Sequence, residues 1–243
     1  MPMLRTRSKV TQILVPTSSV DDWKRLLAQP ELHWKPGFSA VALARAWESA
    51  SPTGFPLEVA RALCTAGRTD WTDLRLLLAI PEYRVPLPGG ARASQTDLFA
   101  LARGEIGLIA IAIEGKVDES LGPTVGQKRA EKSDGVDERL DYLEKTLELQ
   151  APSPDRIRYQ LLHRTVSALT IARDFAAESA IMLVQSFSPS GKWHSDFQAF
   201  AKLFGAEPEI GTLALIGVRA GIRLYIGWCV GDQRFRDGDS SRP

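Results

Sequence analysis

The stretch SQTDLFALARGEIGLIAIAIEGK, residues 94–116, changes the periodicity of the chain and decides its fold class. Residues 94–102 and 107–114 are extended in character. Arg103-Gly104-Glu105-Ile106 between them predicts a hairpin with a four-residue connection. In the second strand Ile109, Ile111 and Ile113 point one way, and Ala110, Ala112, Glu114 and Lys116 the other. One face is therefore bulky and apolar, the opposite face small and then charged. If the connection pairs Ala102 with Gly107, Asp97 lies opposite Ala112, on the face of Glu114 and diagonal to it, about 5 to 7 Å away between Cβ atoms.

Working outward, residues 1–81 read as a helical N-terminal elaboration. Ser19 caps a helix ended by Pro30, and Ser39 caps a second with Val41, Ala44 and Trp47 on one face. Pro56 and Gly67 bracket a third, and Asp70 caps a fourth over 71–80. Pro81, Pro86 and Pro88 mark a short edge strand, and Gly89-Gly90 a turn. Residues 82–231 form an α/β core: a polar loop or flap over 117–135, helices over 136–149 and 155–175, then a strand over 179–187. That strand is continuously apolar, as when both faces are covered. A helix over 195–204 and strands over 212–218 and 222–230 complete it, and 232–243 has the composition of a flexible tail.

The 243 residues carry 44% hydrophobic and 24% charged side chains with a formal charge of +1. These proportions exclude a disulfide scaffold, a collagen-like chain and a wholly disordered one. Arg5, Arg7 and Lys9 are followed by no apolar stretch, and the longest aliphatic run, 108–113, is too short to cross a bilayer, so a cytoplasmic protein with no membrane partner is expected. Cys64 and Cys229 lack metal-ligand spacing and read as buried thiols. There is no Gly-rich phosphate loop, dinucleotide fingerprint or nucleophile elbow, and His194-Ser195-Asp196 is explained by a helix cap at Ser195. Trp193, beside Lys192 and His194, is a candidate for stacking on a base.

The chemistry concentrates at the exit of the second strand. Two carboxylates at the expected separation suit one shared metal ion. Asp97, Glu114 and the carbonyl of Gly115 would offer hard oxygens to Mg²⁺ or Mn²⁺, with waters completing the octahedron. Lys116 beside them would orient an attacking water and stabilise charge developing on a phosphate. An acid-x-Lys triplet is common by chance, and Asp22 to Lys24 is another. The inference comes from the context: a buried strand ending in two charges, alanines before them, and a second acid in hairpin register.

Asp97, then Glu114-Gly115-Lys116, then a helix and an apolar strand resembles the PD-(D/E)xK, or restriction endonuclease-like, superfamily, over roughly residues 83–187, with Thr96 where the name-giving proline would stand. The resemblance implies a mixed four-stranded sheet between helices and metal-dependent phosphodiester hydrolysis, with Asp97 and Glu114 as metal ligands and Lys116 as the catalytic lysine. It also suggests Glu48 as an extra acid from the second helix. By the same analogy Gln160 and Arg164, four apart on the following helix near Tyr159 and His163, would reach the scissile phosphate or the water. The expected function is a nuclease acting on nucleic acid, DNA first, in bacterial defence or nucleic-acid processing. The alternatives are a catalytically inactive nuclease-fold binding or assembly module, and a scaffold whose charged strand end is incidental. With a charge of +1, phosphate contacts must be concentrated, at Arg156, Arg158 and Arg164 or at Arg219, Arg223, Arg234 and Arg236, and a homodimer or partner protein would supplement affinity.

Overall fold

The computed structural model describes residues 17–237 except 72 and 91. The basic residues at 5–9 and the end of the expected tail, 238–243, lie outside the described residues. Four helices come first, α1 (Val20–Lys24), α2 (Pro30–His33), α3 (Ser39–Ala50) and α4 (Leu57–Cys64). A meander follows, β1 (Arg75–Val85), β2 (Ser94–Arg103) and β3 (Leu108–Lys116). After it run α5 (Val125–Arg129), α6 (Asp134–Leu147), α7 (Tyr159–Asp174), β4 (Ser179–Ser186), α8 (His194–Ala201), β5 (Thr212–Arg219), β6 (Ile222–Val230) and α9 (Arg234–Asp237). The six strands form one mixed sheet in the order β1-β2-β3-β4-β6-β5, larger than the four-stranded sheet that the resemblance implied. β1-β2-β3 and β5-β6 are antiparallel, while β3, β4 and β6 run parallel.

Alternation in β3 decides which layer covers which face. Ile109, Ile111 and Ile113 pack with Leu98, Ala100 and Ala102 against α3 and α4, where Leu43, Trp47, Val59 and Leu63 complete a core. Ala110 and Ala112 pack with Phe99 and Leu101 under α6, α7 and α8, against Leu161, Val166, Ala168 and Phe197. Small residues on both β3 and α7 let the helix lie close to the sheet. β4 is buried throughout, as a central parallel strand covered on both faces must be.

Several expectations change. The helix expected over 71–80 is instead a 3-10 turn, Thr69–Trp71, followed by β1, which begins at Arg75 and runs through the expected boundary at 81/82. Proline does place it at the sheet edge, but over eleven residues. Leu76, Leu77, Leu78 and Ile80 satisfy either period, and pairing with β2 settles them as strand. The loop at 117–135 contains α5, closed by a capping box between Thr124 and Gln127. Trp193, not Ser195, caps α8. Cys64 is exposed, whereas Cys229 is buried. Residues 234–237, placed in the tail, form α9 and dock on α3, with Arg45 donating to the Phe235 carbonyl at 3.2 Å and Gly37 N–H donating to that of Arg236 at 3.1 Å.

The turn at Gly89-Gly90 is pinned to α6. Gly89 has φ +75°, and a Cβ there would meet the Arg139 backbone nitrogen and, at 2.5 Å, the Gly135 carbonyl oxygen. The Arg139 guanidinium donates to the carbonyls of Leu87, Pro88, Gly90 and Arg92, drawing the 87–92 loop onto the helix. Gly89→Ala is expected to cost about 1–3 kcal/mol through overpacking plus left-handed strain. A urea midpoint equal to that of the wild type would show that this loop is not packed on α6.

Candidate functional site

The ladder between β2 and β3 runs to Leu98 opposite Ile113, two residues out of the expected register. A shift of two preserves the side-chain faces, and it sets Asp97 across from Glu114 rather than diagonal to it. Beyond that pair the Gly115 N–H donates to Asp97 Oδ2 at 2.9 Å in place of a ladder bond. A strand residue sends its N–H and C=O from the same edge, so the Gly115 carbonyl also faces β2. On the opposite face a Cβ at Gly115 would stand 3.4 Å from Leu43 Cδ2, so α3 packs directly beneath the site. Glu119, just past β3, accepts from the Ser39 N–H at 2.6 Å and the Val117 N–H at 2.9 Å, tying the strand exit to the start of α3.

Five of the expected residues converge. Glu114, 1% exposed, accepts at Oε1 from Lys116 Nζ at 2.7 Å and from Gln160 Nε2 at 2.6 Å, and at Oε2 from Arg164 Nε. Arg164 Nη2 lies 3.7 Å from Asp97 Oδ1, and its Nη1 donates to Ser94 Oγ at 3.0 Å. Gln160 and Arg164 sit one helical turn apart at the start of α7, which explains their shared aim. Because a carboxylate only accepts, the Gln160 amide nitrogen must face Glu114. Its oxygen is left buried without a partner.

The two carboxyls differ in environment. Burial alone would raise both, but the Arg164 and Lys116 charges hold Glu114 down to about 2. Asp97 has one backbone N–H and a more distant guanidinium, so burial and the neighbouring Glu114 charge push it up to about 7. Burial works against the Lys116 charge, yet Glu114 and Asp97 raise it, and the ammonium stays protonated.

A third carboxyl was missed from the sequence. Glu82 sits between Pro81, paired with Leu98, and Tyr83, paired with Thr96, which sets it on β1 opposite Asp97. Its φ of +55° is strained for a residue with a side chain. Gln95 Nε2 donates to it at 2.7 Å, while burial, then the Asp97 charge, push it up to about 8. The edge strand expected near Pro81 carries no register of its own, and only pairing with β2 brings Glu82 to this face. These groups line a cleft of about 400 Å³ together with Trp34, Phe38 and Leu43.

The remaining candidates lie elsewhere. Glu48 accepts from Trp23 Nε1 at 2.7 Å and Thr17 Oγ1 at 3.0 Å, so it fastens α1 to α3 and is no part of the cleft. Arg164 is 7% exposed and spent on carboxylates, which rules it out as a surface phosphate contact. Arg156 and Arg158 precede α7 rather than lying on it. Arg156 is exposed, while Arg158 pairs with Asp196 at 3.0 Å and covers the Trp193 ring at 4.9 Å, leaving that ring less free to stack on a base. His163 bonds Ser94 Oγ through Nδ1 at 2.9 Å, and burial keeps it well below the usual histidine range, hence neutral.

Among the described residues no group of three or more His, Cys, Asp and Glu side chains is arranged to hold a metal ion. The Asp97–Glu114 pair nevertheless fits a hard divalent cation on two observations. Asp97 is met only by the Gly115 N–H and a guanidinium 3.7 Å away, which leave its charge under-compensated, and the buried Gln160 oxygen lacks a partner. A cation reaching Glu114 would share it with Lys116 and Arg164. Also among the described residues, no helix is long and apolar enough to cross a membrane. The chain belongs to the family described as Domain of unknown function (DUF6946), which matches residues 16–233. No curated protein and no solved structure matches it.

Proposed function

We propose that this DUF6946 protein is a divalent-metal-dependent phosphodiesterase of restriction endonuclease-like type acting on nucleic acid, DNA first, in a cytoplasmic role such as defence or nucleic-acid processing. The observation that carries the reading is the convergence of Asp97, Glu114, Lys116 and Gln160 at the floor of one cleft, on a mixed sheet between helices. Asp97 and Glu114, with the Gly115 carbonyl, are the residues that would hold Mg²⁺ or Mn²⁺. Such an ion, when bound, supplies Lewis-acid polarisation of the phosphoryl oxygen and a more acidic water. Lys116 uses one ammonium proton on Glu114, and its remaining protons orient the attacking water and stabilise charge on the phosphoryl oxygens. Gln160 and Arg164 hold the Glu114 carboxylate in place. One water is consumed, its oxygen bonds to phosphorus, the P–O bond to the leaving group breaks, and the leaving oxygen takes up a proton.

A second reading, a catalytically inactive nuclease-fold module for binding or assembly, is favoured by one feature: both Glu114 oxygens are already met by cations. The two readings part on hydrolysis of bis(p-nitrophenyl) phosphate and of DNA and RNA oligonucleotides. The enzyme should act with Mg²⁺ or Mn²⁺, stop in EDTA, and fall at least about 10²-fold in Lys116→Ala. Activity that survives both EDTA and Lys116→Ala would refute the assignment, and binding without cleavage under every condition would favour the silent module.

A further inference from the structure

Two concavities meet over the first turns of α7. The cleft already described and a second, of about 490 Å³ between the 89–95 loop, α5 and α6, share Gln95, Gln160 and Arg164 in their walls. Their charges are opposed. The first is lined by Glu82, Asp97, Glu114 and Glu119, whereas among the described residues no carboxylate lines the second, which has Arg92, Lys128 and Arg139. Arg139 is committed to loop carbonyls. Lys128 sits 5.6 Å over the Tyr159 ring and is ion-paired with Glu131 at 2.7 Å, while Arg92 is exposed. Across the first cleft Trp34 and Phe38 are half-buried, each offering part of a ring to the opening.

The rest of the surface points the same way. Outside this region most of the arginines expected to contact phosphate are paired with acids, Arg158 with Asp196, Arg219 with Glu148, Arg223 with Glu178, Arg234 with Asp232 and Arg236 with Asp237, while Arg156 is exposed. A duplex is bound chiefly by neutralising many phosphates along a basic face. A chain of charge +1 with its arginines so paired is poorly suited to that. A cleft of nucleotide size with one aromatic wall suits an unstacked base instead.

We infer that the substrate is an unpaired polynucleotide strand lying across Gln160. Its reacting phosphate sits by Asp97 and Lys116, one base rests against Trp34 and Phe38, and the neighbouring phosphate occupies the basic pocket at Arg92 and Lys128, where it competes with Glu131 for the Lys128 ammonium. This rests on the nuclease reading above and adds to it a second binding pocket and a strandedness.

The test uses the full chain in EDTA, where no hydrolysis is expected, and fluorescence anisotropy with a labelled 12-mer DNA, single-stranded and as its duplex. The single strand should bind at least about 10-fold tighter. With about two phosphate contacts, log Kd should rise with log salt at a slope of about 1.4, far below that of a protein touching six or more duplex phosphates. Arg92→Glu with Lys128→Glu should weaken single-strand binding about 10-fold or more. Trp34→Ala should weaken it several-fold, and an abasic nucleotide in the probe should reproduce that loss in the wild type without adding to it in the variant, which separates stacking from misfolding. Duplex binding as tight as single-strand binding, or indifference to the Arg92/Lys128 change, overturns the inference. Hydrolysis of bis(p-nitrophenyl) phosphate tells the two proposals apart. If it persists without strand preference, only this inference fails; if it is absent while the strand preference holds, only the enzymatic reading fails.

Discussion

Asp97→Asn should abolish metal-dependent hydrolysis and, in the same molecule, raise the stability of the metal-free protein near neutral pH. The loss of activity follows from removing the less compensated of the two anionic oxygen donors, and a fall on the order of 10³-fold is expected, as for loss of a central electrostatic group. The gain in stability follows from proton linkage. With Asp97 pushed up to about 7, the native state holds a proton that the unfolded chain releases near pH 4, so this carboxyl lowers stability as pH rises between those values. Asparagine titrates nowhere in that window and still accepts from the Gly115 N–H. The melting temperature of the variant in EDTA should therefore exceed that of the wild type by a margin that grows from about pH 4 to 7 and then levels. Using the difference matters, because neutral His163 titrates with the opposite sign, its stability contribution being lost as pH falls below its unfolded value. Mg²⁺ should narrow the gap by neutralising Asp97 in the wild type alone. A variant less stable than the wild type at pH 7 in EDTA would contradict the electrostatics, and one that keeps its activity would contradict the site.

Arg164→Met should be among the most damaging single changes in the protein. The side chain is long enough to fill most of the same space, so the loss is electrostatic. Glu114 would keep Lys116 and Gln160, but its Oε2 would be buried without a donor, and Ser94 would lose a partner. Breaking one side of a buried ion pair costs about 3–5 kcal/mol, because it strands the other charge. Arg164→Lys should recover only part, since an ammonium cannot reach Glu114, Asp97 and Ser94 together as the guanidinium does. The check is a double-mutant cycle by urea unfolding. Glu114→Gln in the Arg164→Met background should be much less costly than in the wild type, with a coupling of about 1–3 kcal/mol. A loss below about 1 kcal/mol for Arg164→Met would mean that water reaches Glu114 and that the site is not closed from beneath.

What could be read from the chain was what depends on side-chain parity. Alternation in β3 assigns Asp97, Glu114 and Lys116 to one face whether the hairpin pairs Ala102 with Gly107 or, as found, with Ile109, because the two registers differ by two residues. The uninterrupted apolar run of β4 likewise announces a strand with both faces covered. What could not be read depends on contacts distant in sequence. Leu76 to Ile80 fits a helical face or a strand equally well, so the first half of β1 reads as helix, and the register that sets Glu82 opposite Asp97 depends on the pairing with β2. Arg164, one turn after Gln160, reads from its charge as a phosphate contact; the burial of Glu114 against α7 makes it an internal counter-charge. Glu48 looked available at a helix end, and a tryptophan twenty-five residues earlier claims it.

The backbone at Pro81 and Glu82 has a consequence for how the molecule behaves among copies of itself. β1 is an eleven-residue strand at the rim of the sheet, a length that invites another chain to add a strand and begin a growing ribbon. Pro81 has no N–H to offer such a newcomer, and the left-handed residue after it turns the rim out of line. The kink that aims Glu82 across Asp97 thus also blunts the edge. One local strain serves colloidal safety as well as the cleft, so a substitution that relaxed it toward regular β geometry would sacrifice both at once.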